Sequence, residues 1–426
     1  MPPLKPAETL ADAFNAFDPR TPLYGAAFEA FYVPRPVGTE KLLLDLQVDA
    51  NPNSKWLFTG HRGSGKSTEL IRLANALADQ YFTVYYTVED VLDMADLDYK
   101  DVLLSLGHAL YAQAKARRVS LPQGLLEDLV HWYSVTLKEI EGKVSADAEL
   151  EEKADFWFLK LTARQRSEAA TREIIRRELE SRLLDLIAKI DAIAEAITER
   201  QGRPVLAIVD GLDKVMDLSK GKRMYYEGGA NLCQPRCKAI YTVPLALFYT
   251  NEFGQVRNNF EDCYFTLPNI KVNQRDGQPD QGRDTLRALV ERRAAPGLIA
   301  PESVERLAEL SGGLLRELIA LTREAISFAR VRRANQVETR DVESATSRLR
   351  NTYAGMLTDR HYRELWRIHT DPNHRYTNSD TAQELVHNLS LLEYVNGDSW
   401  WDVHPVVRPL LEERRDNLAP NGLARA

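Results

Sequence analysis

Cysteine is scarce in this chain, with three among 426 residues. So few thiols cannot staple a chain of this length, which excludes a disulfide scaffold. Cys233 and Cys237 lie four apart and Cys263 further on, and neither a fourth cysteine nor a nearby histidine completes a metal site. Three reduced thiols near a buried strand are expected. No uninterrupted apolar run approaches the length of about 18 residues that a spanning helix needs, so no membrane association is expected. The opening MPPLKPAETLADAF lacks a basic segment followed by an apolar core, which points to a cytoplasmic protein. A surplus of positive charge is also missing. The net charge of −7 argues against a generally basic nucleic-acid binder, while leaving room for a local patch. Internal repeats and low-complexity segments are absent. What is present is ordinary for a globular protein: 44% hydrophobic and 27% charged residues, enough to exclude wholesale disorder. The length exceeds one compact core, so several domains are expected.

Residues 1–25 read as a poorly patterned lead-in, and 38–48 as a short helix. Residues 55–59 (KWLFT) read as a strand that runs into glycine. Leu70, Leu73, Ala76 and Leu77 then recur at helical spacing, and 81–88 (YFTVYYTV) is rich in aromatic and β-branched residues. Strand, glycine-rich turn, helix and strand make a βαβ unit with a parallel sheet. From about 98 to 202 the pattern is helical throughout. A stripe of Ile174, Leu179, Leu183, Leu186, Ile190, Ile193 and Ile197 predicts one long amphipathic helix, or two end to end, stopped by Gly202 and Pro204. The apolar runs at 205–209 and 239–248 suit strands buried on both faces. Residues 283–350 return to helices, with 13 arginines, no lysine and 10 acidic residues. In 356–415, helices near 359–369 and 379–392 precede a hairpin, Leu392–Val395 and Trp400–Val403, around Asn396-Gly397-Asp398. Helix, helix and hairpin outline a winged-helix domain.

The sharpest feature is Gly60-His61-Arg62-Gly63-Ser64-Gly65-Lys66-Ser67-Thr68, which fits G-x-x-x-x-G-K-[ST] at every fixed position. Its glycines let the backbone curl with successive N–H groups turned inward. The helix that follows offers its positive N-terminus to phosphates. Lys66 would reach the β- and γ-phosphates of ATP, and Ser67 would place its hydroxyl on Mg²⁺. The second feature, Val205-Leu206-Ala207-Ile208-Val209-Asp210, is an apolar strand that ends in a carboxylate suited to the same Mg²⁺. Asp213, in DGLDK, either positions the attacking water or caps the next helix.

Together GHRGSGKST, VLAIVDGLDK and Ser311-Gly312-Gly313-Leu314-Leu315-Arg316 resemble the AAA+ and STAND branches of P-loop ATPases, above all the Orc/Cdc6-type ATPases and bacterial STAND regulators. The resemblance covers roughly 26–98 and 203–350, and more weakly 356–412. It implies an α/β fold: a P-loop NTPase parallel-sheet core over 26–282 with a long helical insertion at about 98–202. An α-helical lid at 283–350, a small winged-helix domain at 351–415 and a tail at 416–426 would follow. It further implies that Arg316 reads the γ-phosphate, and that Phe31-Tyr32-Val33-Pro34-Arg35 packs on the adenine, with Tyr32 and Pro34 in contact. The segment Trp401-Asp402-Val403-His404-Pro405 resembles the STAND motif whose histidine touches the β-phosphate of ADP; His404 would be that group, or a histidine packed beside Trp400 and Trp401.

There are departures from the pattern. Gly211 stands where many AAA+ enzymes carry the catalytic Glu. The strand at 241–244 lacks the usual polar sensor, for which Thr242 or Asn251 would substitute. Lys66 and Asp210 lie 144 positions apart, which marks the helices of 98–202 as an insertion. Within it Arg164, Arg166, Arg172, Arg176 and Arg177 form either a solvated helix face or an arginine finger for a neighbouring subunit, Arg172 being the choice for the finger.

The winged-helix region balances to −3, with seven arginines and ten acidic residues, and its candidate recognition helix carries Asp380 and Glu384 but no Lys or Arg. Such a helix binds DNA phosphates poorly, so a lid or protein-contact module is the expectation. The sequence therefore predicts an ATP-dependent molecular switch that cycles between ATP and ADP with Mg²⁺. Its expected partners are further copies of the chain and a separate effector or regulatory protein, and the family resemblance suggests bacterial defence or signalling as the setting. A DNA-associated loader or regulator is the first alternative, and a nucleotide-binding scaffold with little turnover the second.

Overall fold

The computed structural model describes residues 4–20, 22–141, 169–215, 217–396 and 398–418. It divides into two units, one made of residues 41–59 and 70–265, the other of residues 1–40, 60–69 and 266–426.

The first unit holds the sheet. Its strands are β1 (Lys55–Thr59), β2 (Phe82–Thr87), β3 (Val205–Asp210), β4 (Lys238–Thr242) and β5 (Tyr264–Thr266), in the order β2-β3-β4-β1-β5. β3 pairs in parallel with β2 and β4, and β4 with β1. Every residue of β3 and β4 is buried, as unbroken apolar runs in a parallel sheet require. Because these strands run the same way, Thr59, Asp210 and Thr242 all leave the sheet at one edge. The ends of β1 and β3 are two strand spacings apart, roughly 10 Å.

β4 is shorter than the apolar run at 239–248 suggests. Val243 still donates its N–H to the Phe58 carbonyl at 2.9 Å, but Pro244 has no N–H to continue the ladder, and the chain enters a 3₁₀ turn at Leu245–Tyr249. The short strand β5 escapes a sequence reading because three residues give no periodicity.

The insertion is helical in its described part: Tyr99–Ala116, Gln123–Glu141, Ala169–Ser181 and Leu183–Gln201. The stripe is two helices end to end. Its phase breaks at Arg182, so Ile175 is buried where Ile174 was expected, and Ile174 is exposed. Gly202, left-handed at φ 63, ends the second helix.

In the second unit the lead-in is more ordered than its sequence suggests. Thr9 caps a helix, Leu10–Ala16, by accepting from the Asp12 N–H. That segment lies along the helix Leu315–Val331, where Arg323 covers the Phe14 ring at 4.1 Å and pairs with Asp18 at 3.1 Å. Helices Gly282–Glu291, Pro301–Leu310, Leu315–Val331 and Thr339–Met356 fill the arginine-rich region. Helices Asp359–Thr370 and Asp380–His387 then lead to an antiparallel hairpin of β6 (Leu391–Asn396) and β7 (Asp398–Val403). The second of these helices stops at His387 rather than near 392, because Leu389 takes φ 64 and Leu391 already pairs with Val403. Leu314 shares an apolar cluster with the hairpin residues Leu392, Tyr394 and Trp400. No helix among the described residues is long and apolar enough to cross a membrane.

Candidate nucleotide site

The phosphate loop, residues 60–68, leads from the end of β1 into the helix Lys66–Ala76. A loop that turns its N–H groups inward must turn carbonyls outward, and each buried carbonyl needs a donor. The structure supplies them. Lys66 Nζ donates to the carbonyls of Gly60 (2.8 Å) and His61 (2.9 Å). The backbone N–H of Arg316 donates to Gly63 at 3.0 Å, and Arg35 Nη1 donates to Ser64 at 2.9 Å. The Arg316 N–H is one of the unpaired donors at the start of its helix, so loop and helix end satisfy each other. Gly63 is required for this approach, since a Cβ there would sit 2.9 Å from the Cβ of Arg316.

Arg316 thus lies on the loop through its backbone, while its exposed side chain donates Nε–H to the Pro19 carbonyl at 3.3 Å. Ser64 Oγ is fully buried without a hydrogen-bond partner. Ser67 and Thr68 are half-buried, and Arg62 is exposed.

Two histidines in this unit are held neutral. Burial, and then the Lys66 charge, push His61 down to about 3. Its Nε2 accepts the backbone N–H of Glu393 in β6 at 2.6 Å, which places the proton on Nδ1, and Nδ1 has no partner. Burial, and then Arg408, push His404 down to about 3 as well. Its Nδ1 accepts the Val406 N–H at 3.3 Å, so the proton sits on a buried, unpartnered Nε2 beside the Tyr353 ring. The sign of the linkage follows. Between the ordinary value of 6.5 and about 3, unfolded imidazoles bind a proton that the folded ones refuse. Stability is therefore lost as pH falls through that window, by about 1 kcal/mol per pH unit for each histidine. We expect the melting temperature to drop steadily from pH 6.5 to pH 5, and to drop less steeply in a His61→Gln, His404→Gln double variant; equal slopes in the two proteins would contradict this.

Tyr32 does not present an open face on both sides. Its ring stacks on Phe28 at 4.5 Å, and its hydroxyl donates to Glu69 at 3.0 Å, while Thr39 donates to the other Glu69 oxygen at 3.2 Å. Pro34 is exposed. Arg35, the last residue of that segment, has a contact with the loop that the sequence did not signal.

In the sheet unit, Asp210 is buried at the end of β3. It accepts the Tyr85 hydroxyl at 2.8 Å and its neighbour's N–H, that of Gly211, at 2.7 Å. Gly211 has φ 91, a conformation that Glu adopts only with strain, and a Cβ there would come within 3.1 Å of Thr87 Oγ1. The missing Glu is thus explained by backbone geometry. Asp213 is buried inside the 3₁₀ turn Leu212–Lys214, and the helix that follows is capped by Asp217. Thr242 Oγ1 accepts the Leu212 N–H at 2.9 Å and donates to the Val209 carbonyl at 3.3 Å, so it ties β4 to the turn after β3. Asn251 is exposed.

The finger assignment for Arg172 needs correction. Its side chain is buried, and donates to Asp93 at 2.7 Å and Asp96 at 3.2 Å, while Arg176 pairs with Asp96 and Asp101. Reaching a neighbour would mean breaking these ion pairs and leaving carboxylates uncompensated. The sequence shows the arginines but not the aspartates, some 75 positions upstream, that Arg172 and Arg176 fold against. Arg164 and Arg166 lie outside the described residues. Among the described residues no group of three or more His, Cys, Asp or Glu side chains forms a metal site.

No family model matches the chain, and no curated protein does. Solved structures similar to it are of the Orc/Cdc6 kind. A Cdc6p of Pyrobaculum aerophilum is 13% identical, with TM-score 0.39, over 91% of this chain and 98% of that one. The Orc2 protein of Aeropyrum pernix, in ADPNP and ADP complexes, is 11% identical, with TM-score 0.46, over 96% and 98%. A Walker-type ATPase of Pyrococcus abyssi is 13% identical, with TM-score 0.44, over 93% and 99%.

Proposed function

We propose that the protein is an ATP-binding and ATP-hydrolysing molecular switch of the AAA+/STAND class. The observation that carries this is the loop at 60–68, whose carbonyls are held by Lys66, Arg35 and the Arg316 N–H. A buried Ser64 hydroxyl without a partner fits an incoming phosphate, because an orphaned donor costs energy until something accepts it. In this reading Lys66 binds the outer phosphates, and the loop residues Gly60 to Thr68 form the cradle. Ser67 and Asp210 share Mg²⁺, and Asp213 positions water. Arg316 reads the γ-phosphate, His404 senses ADP, and Tyr32 and Pro34 line the base. Bound ATP supplies the anhydride whose cleavage resets the switch, and Mg²⁺ neutralises its charge.

A ligand shifts an equilibrium only by its difference in affinity for two states. The switch therefore requires that ATP and ADP favour different assemblies of this chain, or different affinities for a separate effector. Sizing the purified protein with ADP, with a non-hydrolysable ATP analogue, and with each plus duplex DNA tests this. Nucleotide-dependent assembly is expected; a shift that needs DNA would favour a loader instead. We expect Asp210→Asn to lower ATP turnover at least about 100-fold while ATP binding falls much less. Unchanged turnover in that variant would remove Asp210 from the site.

A further inference from the structure

We propose that Arg35 is a positioning residue of the phosphate loop, which sets the direction of the Gly65 N–H through the peptide that joins it to Ser64. The inference rests on the nucleotide-binding reading above. Arg35 is buried. Its guanidinium donates through Nη1 to the Ser64 carbonyl at 2.9 Å and through Nη2 to the Pro268 carbonyl. A Cβ at Gly65 would lie 3.9 Å from Nη1, so the guanidinium sits directly against the loop backbone.

The chain has no cis peptide among its described residues. In a trans peptide the C=O and the following N–H point in opposite directions. Holding the Ser64 carbonyl on the Arg35 side therefore turns the Gly65 N–H to the other side, away from the arginine. Glycine at φ 96 has little intrinsic preference that would fix this plane, so an outside restraint has an effect here.

Only a planar fork meets both carbonyls at once. The two Nη groups of a guanidinium are fixed relative to one another, so Ser64 and Pro268 are held in one geometry. A lysine in its place would keep the positive charge but offer a single mobile ammonium. Arg35 would thus act on phosphate binding through the orientation of a backbone donor, and not chiefly through its charge.

The test uses the full chain as wild type, Arg35→Lys and Arg35→Met, each measured by calorimetry with Mg·ADP, by ligand-observed NMR with adenosine, and by thermal melting. We expect both variants to bind ADP about tenfold more weakly, in keeping with the loss of a charge-assisted hydrogen bond. Adenosine, which has no phosphate to meet the loop, should bind all three proteins alike, although both variants should melt somewhat lower because the Ser64 and Pro268 carbonyls lose a donor. Wild-type affinity for ADP in Arg35→Lys would overturn the proposal, because charge alone would then suffice. A loss of adenosine binding as large as the loss of ADP binding would also overturn it, by showing a general structural effect rather than one on the phosphate loop. If wild-type protein itself shows no heat with Mg·ADP, the nucleotide reading fails first, and the two failures are told apart.

Discussion

Lys66→Ala should weaken ADP and ATP binding by about 100-fold or more, the largest functional effect expected in this chain. Two losses add in that variant. The ammonium that would meet the outer phosphates disappears, and charge-assisted hydrogen bonds are worth about 1.5–3 kcal/mol each. The carbonyls of Gly60 and His61, to which Nζ now donates at 2.8 and 2.9 Å, also lose that donor. Both residues are buried, so water does not readily replace it. Calorimetry with each nucleotide measures the effect, and a melting curve separates loss of binding from loss of fold. An alanine variant that bound both nucleotides like the wild type would leave the loop without a function in phosphate binding.

Gly313→Ala should give the largest loss of stability, about 3 kcal/mol or more. Gly313 has φ 83, and a Cβ built there would lie 1.7 Å from the carbonyl oxygen of Ile270. A contact that short cannot be relieved by a rotamer change, because the obstacle is backbone, and the conformation itself is strained for any L side chain. Its neighbours are pinned too: the Gly312 carbonyl accepts from Asn269 Nδ2 at 2.7 Å and from the Tyr394 hydroxyl at 2.9 Å. Movement of this turn would lift Leu315 and Arg316 from the loop, so nucleotide affinity should fall along with stability. Gly355→Ala is the control. It sits in the helix Thr339–Met356 with nothing within 4 Å of its Cβ position, and should gain about 0.5–1 kcal/mol from helix propensity. Equal melting temperatures for the two alanine variants would refute the steric argument.

Much of the chain was legible because its signals are local. The phosphate loop announces itself since glycine, lysine and serine are each needed at a fixed spacing between a strand and a helix. β3 was visible as an apolar run closed by Asp210, and the hairpin as two β-like runs around Asn396-Gly397-Asp398. What escaped is long-range. Arg35 meets Ser64 across 29 positions, and His61 meets the Glu393 backbone across 332. Nothing in the periodicity of either segment encodes its partner. Arg172 misled for the same reason: it reads as free to reach a neighbour until Asp93 and Asp96, which pair with it, are in view. The 239–248 run misled differently. Its apolar continuity outweighed Pro244, although the missing N–H of that one residue decides where the strand ends.

The strand order has a consequence for how the chain is made. β1 is synthesised first, yet both of its neighbours, β4 and β5, come from residues 238–242 and 264–266. While a ribosome works through the helical insertion, β1 and β2 both wait unpaired; β2 can zip with β3 soon after β3 emerges, but β1 must wait longer with both edges bare. Pairings of such sequence separation form slowly and leave unpaired edges exposed to other chains. Fragments that stop short of about residue 266 should accordingly clump during expression, and chaperones that shield extended backbone should raise the yield of the complete chain.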